Sequence, residues 1–131
     1  MAIPMAQPDL IGIVVRDMAA SLRFYGLLGL DIPPNMESEQ HVEVILPNGF
    51  RIAWDSQEMI KNIFPDWIEP VGQRMTLAFK CKSPAEVDTL YDRVVQSGYR
   101  GHKAPWNAFW GQRYAVVVDP DGNLVDLFAG L

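Results

Sequence analysis

RYAVVVDPDGNLVDLF, residues 113–128, is two apolar runs separated by Asp119, Pro120, Asp121 and Gly122. Such a pattern reads as strand, tight turn, strand, with the glycine supplying the positive φ that the turn requires. HVEVILPNGFRIAWD, residues 41–55, has the same form around Pro47, Asn48 and Gly49. Each hairpin is preceded by a further strand and a helix. DLIGIVVRDMAASLRFYGLLGL (9–30) predicts a strand, Asp17 as N-cap, a helix with Met18, Leu22, Tyr25 and Leu28 on one side, and Gly29 as the stop. RMTLAFKCKSPAEVDTLYDRVVQSG (74–98) predicts a strand, then Ser83 as N-cap, Pro84 in the first turn and Glu86 completing a capping box. Val87, Leu90, Tyr91, Val94 and Val95 share a helical face, and Gly98 ends it.

The halves therefore repeat one another. The turn glycines Gly49 and Gly122 are 73 residues apart and the helix caps Asp17 and Ser83 are 66 apart, a difference that a small loop insertion absorbs. The expected class is α+β: two βαβββ repeats forming a curved mixed sheet cup. Residues 1–56 make the first module, 57–73 a connector with a helical turn near Gln57–Ile63, and 74–131 the second module, one domain overall. One helix per module covers only one sheet face, so the other must be buried or used by the second module or a partner.

Composition narrows the function. A chain of 131 residues with 49% hydrophobic content can build one core unaided. Cys81 is the only cysteine, which excludes an intrachain disulfide and fits a reducing cytoplasm. Leu10–Val15, the longest apolar run, is too short to span a bilayer. A net charge of −5 opposes binding to a phosphate backbone, so neither membrane nor nucleic acid is an expected partner.

Aromatic residues carry the functional expectation. PWNAFWGQRY, residues 105–114, holds two of the four tryptophans. It reads as a loop entering a strand over Gln112–Val118, and a loop is a poor place for core packing but a good one for holding a flat ligand. Trp110 is the expected principal stacking wall, and Trp106 is open between wall and core. Trp54 follows Ala53, so alternation turns it to the helix-covered face if Ala53 faces the cup. Trp67, in the connector, is a candidate lid or interface residue. Arg51 and Asp55 share parity with Ala53 and should line the cup, with Arg113 at its mouth; salt-bridging at strand ends is the alternative for each. His41 reads either as a rim residue or as a flat surface across the cup, and His102 as an exposed loop side chain. Cys81, without a histidine nearby in sequence, reads as inert packing. Asp126, a single carboxylate in an apolar cup, is suited to accept a ligand hydrogen bond.

RDMAASLRFY, SPAEVD and DPDGNLVDLF together resemble the vicinal-oxygen-chelate superfamily, which includes glyoxalase I, extradiol dioxygenases and bleomycin resistance proteins. GHKAPWNAFWGQRYAVVVDPDGNLVDLFA with RIAWD is most similar to its metal-free, mitomycin-binding resistance branch. The metalloenzymes of the superfamily place His, Gln or Glu ligands on the first and last strand of each repeat. Here those positions are Leu10, Ala53, Thr76 and Asp126, of which only Asp126 is a credible ligand. The resemblance thus implies a cofactor-free homodimer that sequesters a planar aromatic antibiotic of the mitomycin or bleomycin kind. The alternative is a glyoxalase-type divalent-metal lyase or isomerase with unorthodox ligands.

Overall fold

The computed structural model describes residues 4–131. In chain order the elements are β1 (Leu10–Val15), α1 (Met18–Leu27), β2 (His41–Ile45), β3 (Arg51–Ser56), α2 (Gln57–Ile63), β4 (Leu77–Lys80), α3 (Pro84–Gln96), β5 (Arg100–Ala108), β6 (Gln112–Val118) and β7 (Leu124–Gly130). The α+β architecture of two βαβββ-like modules stands, as a sheet ordered β1-β3-β2 and a second ordered β4-β7-β6-β5. Both are mixed: β1 runs parallel to β3 and β4 parallel to β7, while the hairpin pairs are antiparallel. The first sheet has no counterpart of β5. Pro33 and Pro34 fall in the corresponding stretch, and proline has no N–H for a ladder.

Local chemistry sets the ends of the helices. Asp17 accepts the Ala20 N–H at 3.1 Å, and the Ser83 hydroxyl accepts the Glu86 N–H at 3.2 Å. The Glu86 carboxylate reaches back to the Lys82 N–H at 2.7 Å, one residue earlier than a strict capping box would take it. The turn glycines Gly49 and Gly122 sit at φ 89° and 91°, conformations that a β-carbon would strain.

One expectation is corrected. PWNAFWGQRY is not a loop up to Gln112: Trp106 pairs with Tyr114 and Ala108 with Gln112, leaving a short turn over Phe109–Gly111. Pro105 lies where the register shifts between Lys103 and Trp106, a bulge at which its missing N–H breaks no bond.

Alternation then sorts the side chains. Val42, Val44, Ile52 and Trp54 from the first sheet and Val117, Val125 and Leu127 from the second point at the helices, where they meet Leu22, Phe24, Tyr25, Val87 and Val94 in one shared core. Trp54 is fully buried there, 5.6 Å from the Tyr25 ring, as alternation predicted.

No backbone ladder joins the two sheets among the described residues. Side chains of the β6–β7 turn connect them instead. Buried Asp119 accepts the Tyr25 hydroxyl at 2.8 Å, together with the N–H groups of Asp121 and Asn123 and the Asn123 side-chain amide. Asp121 accepts the Arg16 N–H at 3.0 Å and the Ser21 hydroxyl at 3.4 Å. Burial and the Asp119 charge push the Tyr25 phenol far above its ordinary range, so it remains a donor. Tyr25→Phe, which leaves a buried carboxylate short of one donor, should cost about 1–3 kcal/mol in urea unfolding. A loss within ~0.3 kcal/mol would show that this bond does not hold the modules together.

Candidate functional site

The faces turned away from the helices bound a cleft of about 860 Å³. Its floor is the second sheet, where Tyr114 and Val116 of β6 and Leu124 and Asp126 of β7 project to one side. Val14 and Arg16 close it from the first module, and a strap spanning 67–74 covers another side with Trp67, Pro70, Val71 and Arg74. Among the described residues, none of 68–76 enters a helix, a strand or a backbone–backbone hydrogen bond. Side chains tether the strap: Glu69 pairs with Arg16, and the Gln73 amide donates to the Leu124 carbonyl at 3.0 Å while accepting its N–H at 2.6 Å.

Tyr114 links the cleft to the aromatic cluster. On the cleft side its hydroxyl, pushed up to about 12 by burial and then by neighbouring Asp126, stays protonated across the physiological range. On the other side the Trp110 ring meets it edge-to-face at 5.2 Å, with Trp106 at 5.6 Å and Phe109 at 5.0 Å from Trp110 in turn. The Trp110 indole N–H donates to Gln112 at 2.8 Å. Lys103 Nζ lies 4.7 Å from the centre of the Trp106 ring, whose buried N–H has no partner among the described residues.

Of the residues expected to bind a ligand, Trp67 and Asp126 line this cleft. Trp106 pairs with Tyr114 on the same sheet face and Trp110 packs edge-to-face against it, and neither lines the cleft. His41, Arg51 and Asp55 gather on the first sheet outside the cleft lining. Arg51 Nη1 donates to both carboxylate oxygens of Glu43 and Nη2 to Asp9, and His41 lies between Asp55 at 2.5 Å and Glu43 at 2.9 Å. Arg113, expected at the mouth, projects to the opposite face, where it donates to Asp88 of α3 at 2.9 Å. His102, expected on a loop, is on β5 and borders the cleft, although it is exposed as expected.

Tyr114 was missed although alternation places it on the Asp126 side of the sheet. Arg16, Gln73 and Arg74 carried no such signal, because their positions depend on how the strap crosses the second module.

The donor set does not fit a divalent cation. Leu10 and Ala53 offer no ligand atom, and among the described residues no group of three or more His, Cys, Asp or Glu side chains converges. No metal-dependent step is therefore derived for this cleft.

The sequence pattern of the Glyoxalase/Bleomycin resistance protein/Dioxygenase superfamily matches residues 7–127. The chain belongs to that superfamily. No curated protein matches it in sequence. A glyoxalase/bleomycin resistance protein/dioxygenase family enzyme from Burkholderia phytofirmans PsJN has the same fold at TM-score 0.82 and 22% identity, covering 96% of this chain and 100% of that one. For a glyoxalase-related enzyme from Fulvimarina pelagi the TM-score is 0.80 at 24% identity, over 96% and 89% of the two chains. A glyoxalase/bleomycin resistance protein/dioxygenase from Nocardioides gives 0.75 at 25% identity, over 99% and 87%. At these identities the likeness speaks for the superfamily fold and leaves the ligand to the residues of the cleft. No helix among the described residues is long and apolar enough to cross a membrane.

Hydrogen bonds to Asp55 and then to Glu43 hold the His41 imidazole above its ordinary 6.5. A group whose folded-state value is raised stabilises fully below the unfolded value, and that contribution is lost as pH climbs through the folded one. The melting-temperature advantage of the parent over His41→Gln should thus be largest below the ordinary 6.5 and shrink as pH rises above it. A constant difference would show that the pair contacts are not linked to the imidazole charge.

Proposed function

We propose that the protein binds and sequesters a planar aromatic antibiotic of the mitomycin or bleomycin type in this cleft, without metal and without turnover. The observation that carries the reading is the cleft itself: Trp67 from the strap and Tyr114 from the sheet border one space, and Trp110 packs edge-to-face against Tyr114. Its 860 Å³ is in the range that holds drug-sized molecules. Large stiff rings lose little entropy when they stack, so two such walls favour a flat ligand. For a ligand of about 25 heavy atoms at roughly 0.3 kcal/mol each, binding near 7 to 8 kcal/mol corresponds to micromolar dissociation.

The reading includes a homodimer in a reducing cytoplasm. A three-stranded first sheet and the exposed Ile63, Phe64, Ile68, Val71 and Met75 around the strap support self-association. Sedimentation at micromolar concentration checks that part independently of any ligand: a dimer is expected, and a monomer would remove it.

Tryptophan fluorescence of chelator-treated protein, titrated with mitomycin and bleomycin, should show saturable quenching at micromolar ligand, with the drug recovered unmodified. Trp67→Ala should weaken binding by about 1–3 kcal/mol. Trp110→Ala, which removes the support of Tyr114, should weaken it by about 1 kcal/mol. Affinity unchanged in both variants would place the ligand elsewhere, and a chemically altered drug would replace sequestration with catalysis.

A further inference from the structure

The charged groups of the cleft are not all matched internally. Arg16 is committed to Glu69 and, at 3.6 Å, to Asp121. Two opposite charges then remain on the lining, Arg74 on the strap and Asp126 on the sheet. Among the described residues neither has an ion-pair partner within 4.0 Å, and they do not pair with each other although they border the same space. Asp126 is flanked by Tyr114, its diagonal neighbour across β6 and β7, through the pairings Val116↔Asp126 and Tyr114↔Phe128. A carboxylate beside a single hydroxyl keeps most of its acceptor capacity for a ligand. Arg51, the polar anchor that sequence parity suggested, is already engaged by Glu43 and Asp9 outside the cleft lining.

An apolar ligand filling this space would strip water from a carboxylate and a guanidinium without replacing it, and that desolvation opposes binding. A ligand bearing matching groups at its two ends recovers the loss through charge-assisted hydrogen bonds, which a fixed guanidinium fork and a carboxylate form well. We infer that the ligand is dipolar: a protonated or hydrogen-bond-donating nitrogen meets Asp126, an anionic or carbonyl oxygen meets Arg74, and the flat body lies between them against Trp67 and Tyr114. This inference rests on the proposed reading of the cleft as a planar-ligand site, and it adds the polarity of the ligand. Discrimination then comes from the cost of leaving either charge unpaired, more than from the shape of the ring system.

Four acridines at neutral pH separate the contributions: unsubstituted acridine, an aminoacridine cation, an acridine carboxylate, and an acridine carrying both groups on opposite edges. Titrated against the full chain by tryptophan fluorescence, the doubly substituted compound should bind on the order of tenfold more tightly than either singly substituted one. Asp126→Asn should abolish the preference for the amine while keeping that for the carboxylate, and Arg74→Gln should do the reverse. Arg74→Lys, which keeps the charge, should restore part of the carboxylate preference; circular dichroism verifies that each variant is folded. Equal saturable affinity for all four would overturn the dipolar inference and leave the planar-ligand reading standing. Saturation by none would overturn that reading and the inference with it.

Discussion

Two carboxylates in one turn join the halves of this molecule. Each module makes its own sheet, and among the described residues no ladder connects the two, so their relative placement depends on the shared core and on Asp119 and Asp121 reaching Tyr25, Ser21 and Arg16. The shared core is non-directional and tolerates sliding. Hydrogen bonds at a buried carboxylate do not, since a displaced donor leaves a charge unsatisfied. The cleft exists because that registration holds β1 near the opening edge of the second sheet. Arg16 is central to it: its backbone N–H fixes the turn while its side chain fixes the strap.

Duplication supplied the frame, but the two modules have used the same face differently. In the first sheet, Asp9, His41, Glu43, Arg51 and Asp55 form a closed set of ion pairs over Ala53, which is completely buried beneath them. In the second, the corresponding side carries Trp106, Tyr114, Val116 and Asp126, an apolar surface with one carboxylate. One half spends its polar groups on itself and the other leaves them available. That asymmetry leaves the unpaired charges of the cleft lining on the second module and the strap.

Elements with a strong local signal were legible in the sequence. The capped helices, both Gly-centred hairpins and burial of Trp54 follow from short-range rules, since capping, turn chemistry and alternation act over a few residues. The extent of β5 was not, because Pro105 and Asn107 argue locally for a loop while pairing with β6 overrides them at a bulge. Asp126 and Trp67, singled out by the repeat and by a place between modules, both line the cleft. Arg113 was misplaced because its neighbour Tyr114, not Arg113 itself, shares the parity of Asp126. Arg51 and Asp55 share the face that parity with Ala53 gave them, but local parity does not reveal which partners a charged side chain already has. Arg74 could not be found, as a segment with no ladder has no period to read.

The strap's lack of backbone hydrogen bonds has an evolutionary corollary. Residues 68–76 contribute to the cleft wall without contributing to any sheet or helix, and among the described residues Glu69 and Gln73 tether them. Substitutions and small insertions between those two anchors change what the wall offers while leaving the folding of either module untouched. The lining of the cleft is thereby separable from the elements that fold each module. A fold so partitioned separates the part under selection for persistence from the part free to diversify.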